Sequence, residues 1–146
     1  MPDEIKARIR QYLEERMYIN LGTVCADGTP LVHTVGFVTD GDAVCFMTDK
    51  RTRKAQNIVG NKAVAFTSDK DEPEIPKIQG VQMTGRASKV TDAEVVQRVM
   101  GMIVGKYPIM AEMPPNENYV VFRVEFKEGI FIDNTKGFGH RDCVGY

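Results

Sequence analysis

Apolar and polar residues alternate with a helical period at the start of the chain and with a period of two afterwards. Residues 3–16 place apolar side chains on one face and Lys, Arg and Glu on the other, which predicts an amphipathic helix. Three apolar runs follow, at 18–26, 31–39 and 43–48, separated by glycine-containing turn sequences. They predict a β-meander, in which one face of the second strand carries Leu31, His33, Val35 and Phe37.

The middle of the chain predicts a short helix followed by two strands. Thr52 is expected to cap a helix of about two turns, which ends at Gly60-Asn61 and buries Ala55, Ile58 and Val59. Strands are predicted at 63–68 and 78–90. Glycines inside the second of these strands indicate bulges or bends of the kind that barrels need, at Gly80 and Gly85.

The last third of the chain predicts one helix, two strands and a polar tail. Thr91-Asp92-Ala93-Glu94 has the pattern of a capping box and precedes a helix that buries Val95, Val96, Val99, Met100 and Ile103. Residues 119–126 and 130–133 are predicted strands, joined by a turn at Lys127-Glu128-Gly129. Residues 134–146 are polar and rich in glycine, which favours a frayed terminus; a tail that folds over a site is the alternative.

The order of these elements predicts the fold class. Six or seven strands in hairpin order indicate a mainly antiparallel sheet, because parallel neighbours need long crossover connections. A sheet with so many strands usually closes on itself to remove its edges, so we expect a mainly β fold, a β-barrel with flanking helices. The length of 146 residues fits a single domain, 1–146.

Composition narrows the classes of partner and compartment. The formal net charge of −1 provides no global attraction to nucleic acid or to anionic membranes, and neither is an expected partner. No apolar run approaches the roughly 20 residues of a membrane helix, and the first residues lack a signal-peptide pattern, so a cytoplasmic location is expected. The cysteines are odd in number and form no Cys-x-x-Cys pair, so no structural metal site is expected: Cys25, Cys45 and Cys143.

The segment with the most distinctive chemistry is Lys50-Arg51-Thr52-Arg53-Lys54, which has four basic residues within five positions at a strand–helix junction. Basic side chains in the first turn of a helix oppose the helix dipole, which favours acidic residues there. An external anion would relieve that conflict, since the free N–H groups of a helix start bind anions and Arg and Lys bind phosphate. A solvated basic loop is an equal alternative on charge alone.

Two positions in the second predicted strand have more than one interpretation. A histidine in mid-strand, such as His33, is more often hydrogen-bonded to a barrel neighbour than used as a ligand or catalyst. Gly36 would permit the close approach of a flat ligand, and a bulge explains it equally well.

Taken together, these features resemble the pyridoxamine 5′-phosphate oxidase-like proteins, the FMN-binding split-barrel family, from Tyr18 to Asp133. The most specific part is Phe46 to Val64, where an aromatic-x-Thr sequence is followed by Thr-Arg-Lys-Ala, Asn-Ile and a Val-Ala-Phe strand. The resemblance implies an antiparallel six- to seven-stranded split barrel, a single domain over 1–146, with FMN as its cofactor.

The resemblance also implies a set of cofactor-binding residues. Arg53 and Lys54 would contact the FMN phosphate, with Thr52 in support, while Lys50 and Arg51 would shape the local field. Backbone groups would line the isoalloxazine ring along two strands, at His33, Thr34, Val35, Gly36, Met47 and Thr48. Gln82 would be a polar contact in the long strand that reaches the flavin across a dimer interface.

This chain departs from the founding oxidases at two places. Gly80 stands where such an oxidase would have glutamine. The founding enzymes end in a segment with tryptophan and arginine, whereas this chain has no Trp and ends in Gly137-Phe138-Gly139-His140-Arg141-Asp142 and four further residues. Oxidation of pyridoxamine phosphate itself is therefore not expected.

The resemblance implies that the protein is an FMN-dependent oxidoreductase that acts on a small-molecule redox substrate. It also implies a homodimer with the flavin at the interface. The catalytic side chain is unknown, because the flavin can carry out the redox chemistry itself; His140 or Arg141 would assist if any residue does. The alternatives are a non-enzymatic flavin binder, such as an electron carrier or sensor, and a relative that binds haem or a deazaflavin on the same barrel.

Overall fold

The computed structural model describes all residues, 1–146, and contains three α-helices and eight β-strands. The helices are α1 (Pro2–Glu14), α2 (Arg53–Gly60) and α3 (Ala93–Lys106). The strands are β1 (Tyr18–Val24), β2 (Pro30–Gly36), β3 (Val38–Thr39), β4 (Ala43–Asp49), β5 (Ala63–Asp69), β6 (Gln79–Lys89), β7 (Tyr119–Asp133) and β8 (Arg141–Gly145). Short 3₁₀ turns lie at Ile75–Lys77, Pro108–Glu112 and Asn134–Lys136. None of the helices has both the length and the apolar character that crossing a membrane requires.

All eight strands belong to one antiparallel sheet, in which seven follow the order β2-β1-β5-β6-β7-β4-β3 and β8 pairs with β7. β7 pairs along one edge with β6, and along the other edge first with β4 and then with β8. The chain passes from β2, at one end of this order, to β3, at the other end, with only Phe37 between them. The two ends of the sheet therefore lie close together. The sheet is a curled half-barrel, as expected for a split barrel, and its opening lies between β2 and β4.

Apolar side chains from the sheet and two helices form the main core. Ile9 and Leu13 of α1 and Ile58 of α2 are at most 1% exposed and belong to the same cluster as Phe46 and Phe122. Burial of each such side chain contributes about 1.5–3 kcal/mol, so these contacts attach both helices to the barrel. A smaller cluster holds α3 against the outer side of β4 and β7 and consists of Val38, Cys45, Val99, Ile103 and Val121.

The predicted turn at residues 127–129 is wrong, since β7 runs without interruption through it. Lys127 and Glu128 are exposed, while Gly129 faces the core. A Cβ atom on Gly129 would lie 2.9 Å from Cδ1 of Ile9 and 3.0 Å from Sδ of Met83. Glycine at this position therefore allows helix α1 and strand β6 to pack closely, rather than allowing the chain to turn.

The tail is also better ordered than a frayed terminus. Residues 141–145 form β8, which pairs with residues 128–132 of β7. Val144 is 7% exposed, and the ring of Tyr146 packs edge-on against Phe126 at a centroid distance of 5.2 Å. The end of the chain is part of the sheet.

Three smaller expectations also need correction. The predicted strand 31–39 is interrupted at Phe37, where the chain crosses from β2 to β3. Val59 is 74% exposed, so the buried stripe of α2 consists of Ala55 and Ile58 only. Helix α3 is capped by Asp92 rather than Thr91, and the Asp92 carboxylate accepts hydrogen bonds from the amides of Glu94 and Val95.

Candidate functional site

The connection between β4 and α2 holds the basic segment, residues 50–54. Asp49 ends β4, and its carboxylate accepts two hydrogen bonds from the Arg51 guanidinium, at 3.0 Å and 2.7 Å. Its Oδ1 also accepts the Arg51 amide at 2.9 Å, and these contacts lower the pKa of Asp49 to about 2. Arg51 is thus neutralised inside the segment. Lys50, Arg53 and Lys54 take part in none of the ion pairs of the chain.

The first turn of α2 leaves backbone donors without partners. Thr52 occupies the N-cap position, but its side chain makes no capping hydrogen bond. Its Oγ1 donates instead to the carbonyl of Asp49 at 2.8 Å and lies 3.3 Å from Oγ1 of Thr48. No hydrogen bond within the chain reaches the amides at positions 53–55. Free amides, the positive end of the helix dipole and two unpaired cations together form an anion-binding arrangement.

The opening of the half-barrel lies next to this arrangement. β2 pairs only with β1, so alternate backbone N–H and C=O groups along it face the opening. On the other side, β3 covers β4 only at Val44 and Cys45. Residues 46–49 of β4 therefore also present unpaired backbone groups to the opening, immediately before the basic segment. The free edge of β2 and the uncovered part of β4 thus belong to the two ends of the split sheet.

His33 of β2 is connected to α2 through partly buried hydrogen bonds. Nε2 of His33 lies 3.1 Å from Oγ1 of Thr23, which accepts a hydrogen bond of 3.0 Å from Nδ2 of Asn57. The same Asn57 amide group lies 3.5 Å from Sγ of Cys25. Burial lowers the pKa of His33, and the positive charges of Lys54 and Arg53 lower it further. His33 is therefore a neutral side chain at neutral pH and belongs to the electrostatic environment of the basic segment.

The space next to Gly36 is filled from within the chain. A Cβ atom on Gly36 would lie 3.2 Å from Cζ and from Oη of Tyr107. Oη of Tyr107 accepts the Phe37 amide at 2.9 Å and donates to the carbonyl of Met17. Gly36 thus permits the close approach of a ring, and that ring is the side chain of Tyr107. The end of α3 fixes the point at which the chain crosses from β2 to β3.

Lys106 supports the same crossing point. Its Nζ donates to the carbonyl of Phe37 at 2.9 Å and lies 3.7 Å from the centre of the Phe37 ring. Burial lowers the pKa of Lys106 to about 8. The hydrogen bond and the cation–π contact both favour the charged form, so they oppose this shift.

A methionine-rich groove adjoins the opening on the side of α3. It has a volume of about 530 Å³, and Met47 of β4 forms one of its walls. The other methionines of the groove are Met100, Met110 and Met113, and the charged groups at its rim include Lys50 and Lys89. A smaller depression lined by Gly36, Tyr107 and Ile103 shares Met47 and Met110 with the groove. Met47 thus stands between the opening and a mainly apolar space.

The sequence model of one protein family, pyridoxamine 5′-phosphate oxidase, matches residues 5–133, which include the opening, the basic segment and all but the last strand. The chain belongs to this family. Among its relatives is the haem oxygenase HutZ of Vibrio cholerae serotype O1, which is 25% identical over 140 residues, 92% of this chain and 78% of HutZ.

Solved structures confirm the fold of this pyridoxamine 5′-phosphate oxidase family member. The crystal structure of HutZ from Vibrio cholerae, described as a haem storage protein, superposes with a TM-score of 0.73 at 22% identity, over 84% of this chain and 89% of that chain. A haem-binding protein from Mycobacterium smegmatis gives a TM-score of 0.79 at 13% identity, over 96% of this chain and 56% of that chain.

Within this pyridoxamine 5′-phosphate oxidase-like barrel, most of the predicted cofactor residues lie around one opening. Arg53 and Lys54 are the first two residues of α2, and Thr48, Thr52 and His33 lie beside the start of this helix. Lys50 and Met47 lie toward the methionine-rich groove. Val35 is buried in the core and Thr34 is exposed on the outer face of the sheet, so both can reach a ligand in the opening through backbone groups only.

Gln82 is the exception within this family barrel. It lies on the outer face of β6, paired with Thr67 of β5, and β1 and β5 separate it from β2. It lines a shallow depression of about 570 Å³ together with Asn20, Val32 and Cys143. One chain alone does not bring Gln82 to the basic segment.

Sequence reasoning missed the residues that support the site from other elements: Thr23, Asn57, Tyr107 and Lys106. Asn57 and Thr23 carry no motif, and only the packing of α2 against β1 brings them to His33. Lys106 and Tyr107 come at the end of α3, after its buried residues. The one sequence feature that indicated a close neighbour in this region was Gly36, which Tyr107 covers.

Proposed function

We propose that this member of the pyridoxamine 5′-phosphate oxidase family binds FMN in the opening between β2 and β4 and acts as an FMN-dependent oxidoreductase. The observation that carries the proposal is the start of α2. There, Arg53 and Lys54 have no carboxylate partner and three amides have no acceptor. A phosphate monoester satisfies all of these donors at once, whereas a solvated basic loop would leave the first turn of the helix without a cap.

The residues of the opening fit the rest of the cofactor. The phosphate would lie at Arg53 and Lys54, with Thr52 held in place by its hydrogen bond to the Asp49 carbonyl. The ring would lie along the free edges of β2 and β4, where backbone groups of residues 33–36 and 47–48 supply donors and acceptors. When bound, FMN supplies hydride and single-electron transfer. The chain supplies binding, orientation and a neutral His33 next to the phosphate.

The proposed partner is a second copy of the chain, seated on the outer face of β1, β2, β5 and β6. That face carries exposed Val32, at 71% exposure, among small residues such as Gly22 and Ala65. An apolar surface of this kind is typical of subunit contacts. A second copy would also explain Gln82, because a residue on the outer face can reach a flavin only if that flavin belongs to the partner.

We propose the methionine-rich groove as the space for the redox substrate, because Met47 separates it from the opening. The thioether side chains adapt their shape to different apolar ligands. The chemical identity of the substrate is not implied by these residues.

Haem is the second candidate cofactor, and the specific observation in its favour is the similarity to the haem oxygenase HutZ over 92% of this chain. The chain has two histidines that could serve as iron ligands, His33 and His140. Nε2 of His33 is occupied by Thr23, and Nε2 of His140 lies 3.4 Å from a carboxylate oxygen of Asp142. If haem is the cofactor, Arg53 and Lys54 would bind its propionate groups.

The absorbance spectrum of the purified protein distinguishes these candidates. A flavin spectrum supports FMN, and a Soret band supports haem. If the preparation is yellow, reduction by a nicotinamide nucleotide followed by reoxidation on addition of an acceptor supports an enzyme. A bound flavin that is not reduced and reoxidised in this way supports an electron carrier or sensor. A deazaflavin spectrum supports the alternative that the chain binds a deazaflavin on the same barrel.

A further inference from the structure

We propose that Thr23 and Asn57 hold His33 as a neutral imidazole with its proton on Nδ1, so that the Nδ1–H group is available to donate a hydrogen bond to the anionic ligand of the basic segment. The role of the ligand in this inference rests on the proposed function, whereas the position of the proton does not. Thr23 and Asn57 are positioning residues, because they act through His33.

The argument begins with the hydroxyl of Thr23, which is 1% exposed. A buried hydroxyl hydrogen that has no acceptor costs free energy, so such groups are nearly always satisfied inside the protein. Thr23 Oγ1 takes part in two hydrogen bonds, with Nδ2 of Asn57 at 3.0 Å and with Nε2 of His33 at 3.1 Å.

The direction of each bond follows from what these groups can do. The Asn57 amide nitrogen has hydrogens and no free lone pair, so it can only donate to the Thr23 oxygen. The Thr23 hydrogen must therefore go to His33, and Nε2 of His33 must accept it. A neutral imidazole that accepts at Nε2 carries its proton on Nδ1.

A charged His33 is disfavoured by the same contacts. Protonation of Nε2 would point a hydrogen at Thr23 and leave the Thr23 hydroxyl hydrogen without an acceptor. It would also add a third cation beside Arg53 and Lys54 of α2, whose charges already act on His33. Asn57, the residue of α2 that joins this network, carries no charge that would compensate.

The Nδ1–H group has no partner within the chain, since the contact with Thr23 is the only hydrogen bond of the His33 side chain. The link through Thr23 joins His33 to Asn57, which lies one turn after the unpaired cations Arg53 and Lys54 on α2, and the charges of both cations lower the pKa of His33. An oxygen atom of a ligand bound at the basic segment can accept the hydrogen bond of this Nδ1–H group. A phosphate oxygen suits this role because its negative charge is stabilised by the neighbouring cations.

The test is a long-range ¹H–¹⁵N correlation spectrum of the full-length ¹⁵N-labelled protein, which shows which imidazole nitrogen carries the proton. The chain has only His33 and His140, so the spectrum of a His140→Gln variant assigns His33 without further labelling. We expect a protonated Nδ1 and an unprotonated Nε2 in His33 at neutral pH. A protonated Nε2 in His33 overturns the inference.

Three variants test the network itself. Thr23→Val keeps the shape of the side chain but removes the hydroxyl, and it should lose the Nδ1–H tautomer; Thr23→Ser should retain it. Asn57→Asp places an acceptor beside Thr23, so the hydroxyl should turn toward it and the proton of His33 should move to Nε2. Circular dichroism confirms that each variant is folded. A tautomer that is the same in all four proteins overturns the role of Thr23.

A comparison of FMN with riboflavin tests the ligand. In Thr23→Val the affinity for FMN should fall about tenfold while that for riboflavin stays unchanged, since only FMN has the phosphate that the hydrogen bond reaches. Equal losses for both ligands, or no loss, overturn the donor role. If the unmodified chain binds neither flavin, the proposed function fails, and the tautomer measurement alone decides the inference about His33.

Discussion

The guanidinium of Arg51 binds the carboxylate of Asp49 through two hydrogen bonds, at 3.0 Å and 2.7 Å, within the same strand–helix connection. This pair removes one of four neighbouring cations from ligand binding. Charge alone makes Lys50, Arg51, Arg53 and Lys54 equivalent, and only the family resemblance distinguishes Arg53 and Lys54 from the other two. In the structure, Arg51 is paired with Asp49 inside the connection, whereas Lys50, Arg53 and Lys54 remain available to bind an anion.

Arg51→Ala should therefore leave FMN affinity within about threefold of the unmodified chain, because an exposed ion pair contributes little on its own. The same substitution should raise the pKa of Asp49, since Arg51 is the main cause of its low value. Titration calorimetry measures the first effect and NMR titration of the Asp49 carboxyl the second. A loss of FMN affinity as large as that of Arg53→Ala would show that Arg51 itself contacts the ligand.

Gly85→Ala tests the bulge that bends β6. The register between β6 and β7 shifts between Thr84 and Gly85, and a Cβ atom on Gly85 would lie 2.5 Å from the carbonyl oxygen of Glu125. Backbone cannot move away as a flexible side chain can, so the free energy of unfolding should fall by about 1–3 kcal/mol or more.

The matched control is Gly101→Ala, in the exposed middle of α3, where the new methyl group would meet nothing within 4 Å beyond its chain neighbours and the backbone of its own helix. That substitution should raise the free energy of unfolding by about 0.5–1 kcal/mol, because alanine favours helix over glycine. Urea unfolding compares the two. Similar effects of the two substitutions would contradict the close approach at Gly85.

Deletion of residues 141–146 tests the last strand. It removes β8, the buried side chain of Val144 and the contact of Tyr146 with Phe126. Burial of two such side chains accounts for a loss of stability of more than about 2 kcal/mol, seen as a lower midpoint of thermal unfolding. Phe138→Ala is the control, since that ring is 88% exposed and should leave the midpoint unchanged. A truncated protein as stable as the full chain would indicate a free tail.

Local sequence patterns predicted the strands and helices whose formation depends on residues close to one another along the chain. The period-two alternation of residues 31–39 and 119–126 predicted β2 and the first part of β7, and apolar runs predicted β4 and β5. The basic residues after β4 predict an anion site through their position at a strand–helix junction, and that site stays a prediction. Gly129 and the tail were misread because their role depends on distant partners. Gly129 resembles a turn residue in sequence, and only the packing of Ile9 and Met83 against it explains why β7 continues.

The support of the site could not be predicted for the same reason. Thr23 and Asn57 reach His33 only because α2 packs against β1, and neither residue belongs to a pattern. Tyr107 fills the space beside Gly36 because α3 ends there. The sequence indicates that a glycine or a histidine is unusual at its position. Which residue lies next to it in space can be known only once the topology of the sheet is known.

Asp40 gives a prediction for acid stability. Arg98 donates to its carboxylate at 3.0 Å and 3.1 Å, and Arg123 also pairs with it, so the pKa of Asp40 is lowered in the folded state. Its unfolded pKa is about 3.9. The stabilisation is therefore complete above that value and is lost as the pH falls through the lower, folded pKa.

Asp40→Asn should be less stable than the unmodified chain at pH 7, and the difference should shrink on acidification below about pH 4. Urea unfolding at a series of pH values measures it. Asp71→Asn is the control, since Asp71 is exposed and makes no ion pair. A difference between the Asp40 variant and the unmodified chain that stays constant down to about pH 2 would contradict the assigned pKa shift.

The most direct measurement of the central claim is the affinity of the purified full-length chain for FMN and for riboflavin, with and without the double substitution Arg53→Ala and Lys54→Ala. Two charge-assisted contacts to one phosphate predict a loss of FMN affinity of about 100-fold or more. Affinity for riboflavin, which has no phosphate, should change little. An FMN affinity that the double substitution leaves unchanged would contradict the claim that this segment holds the phosphate.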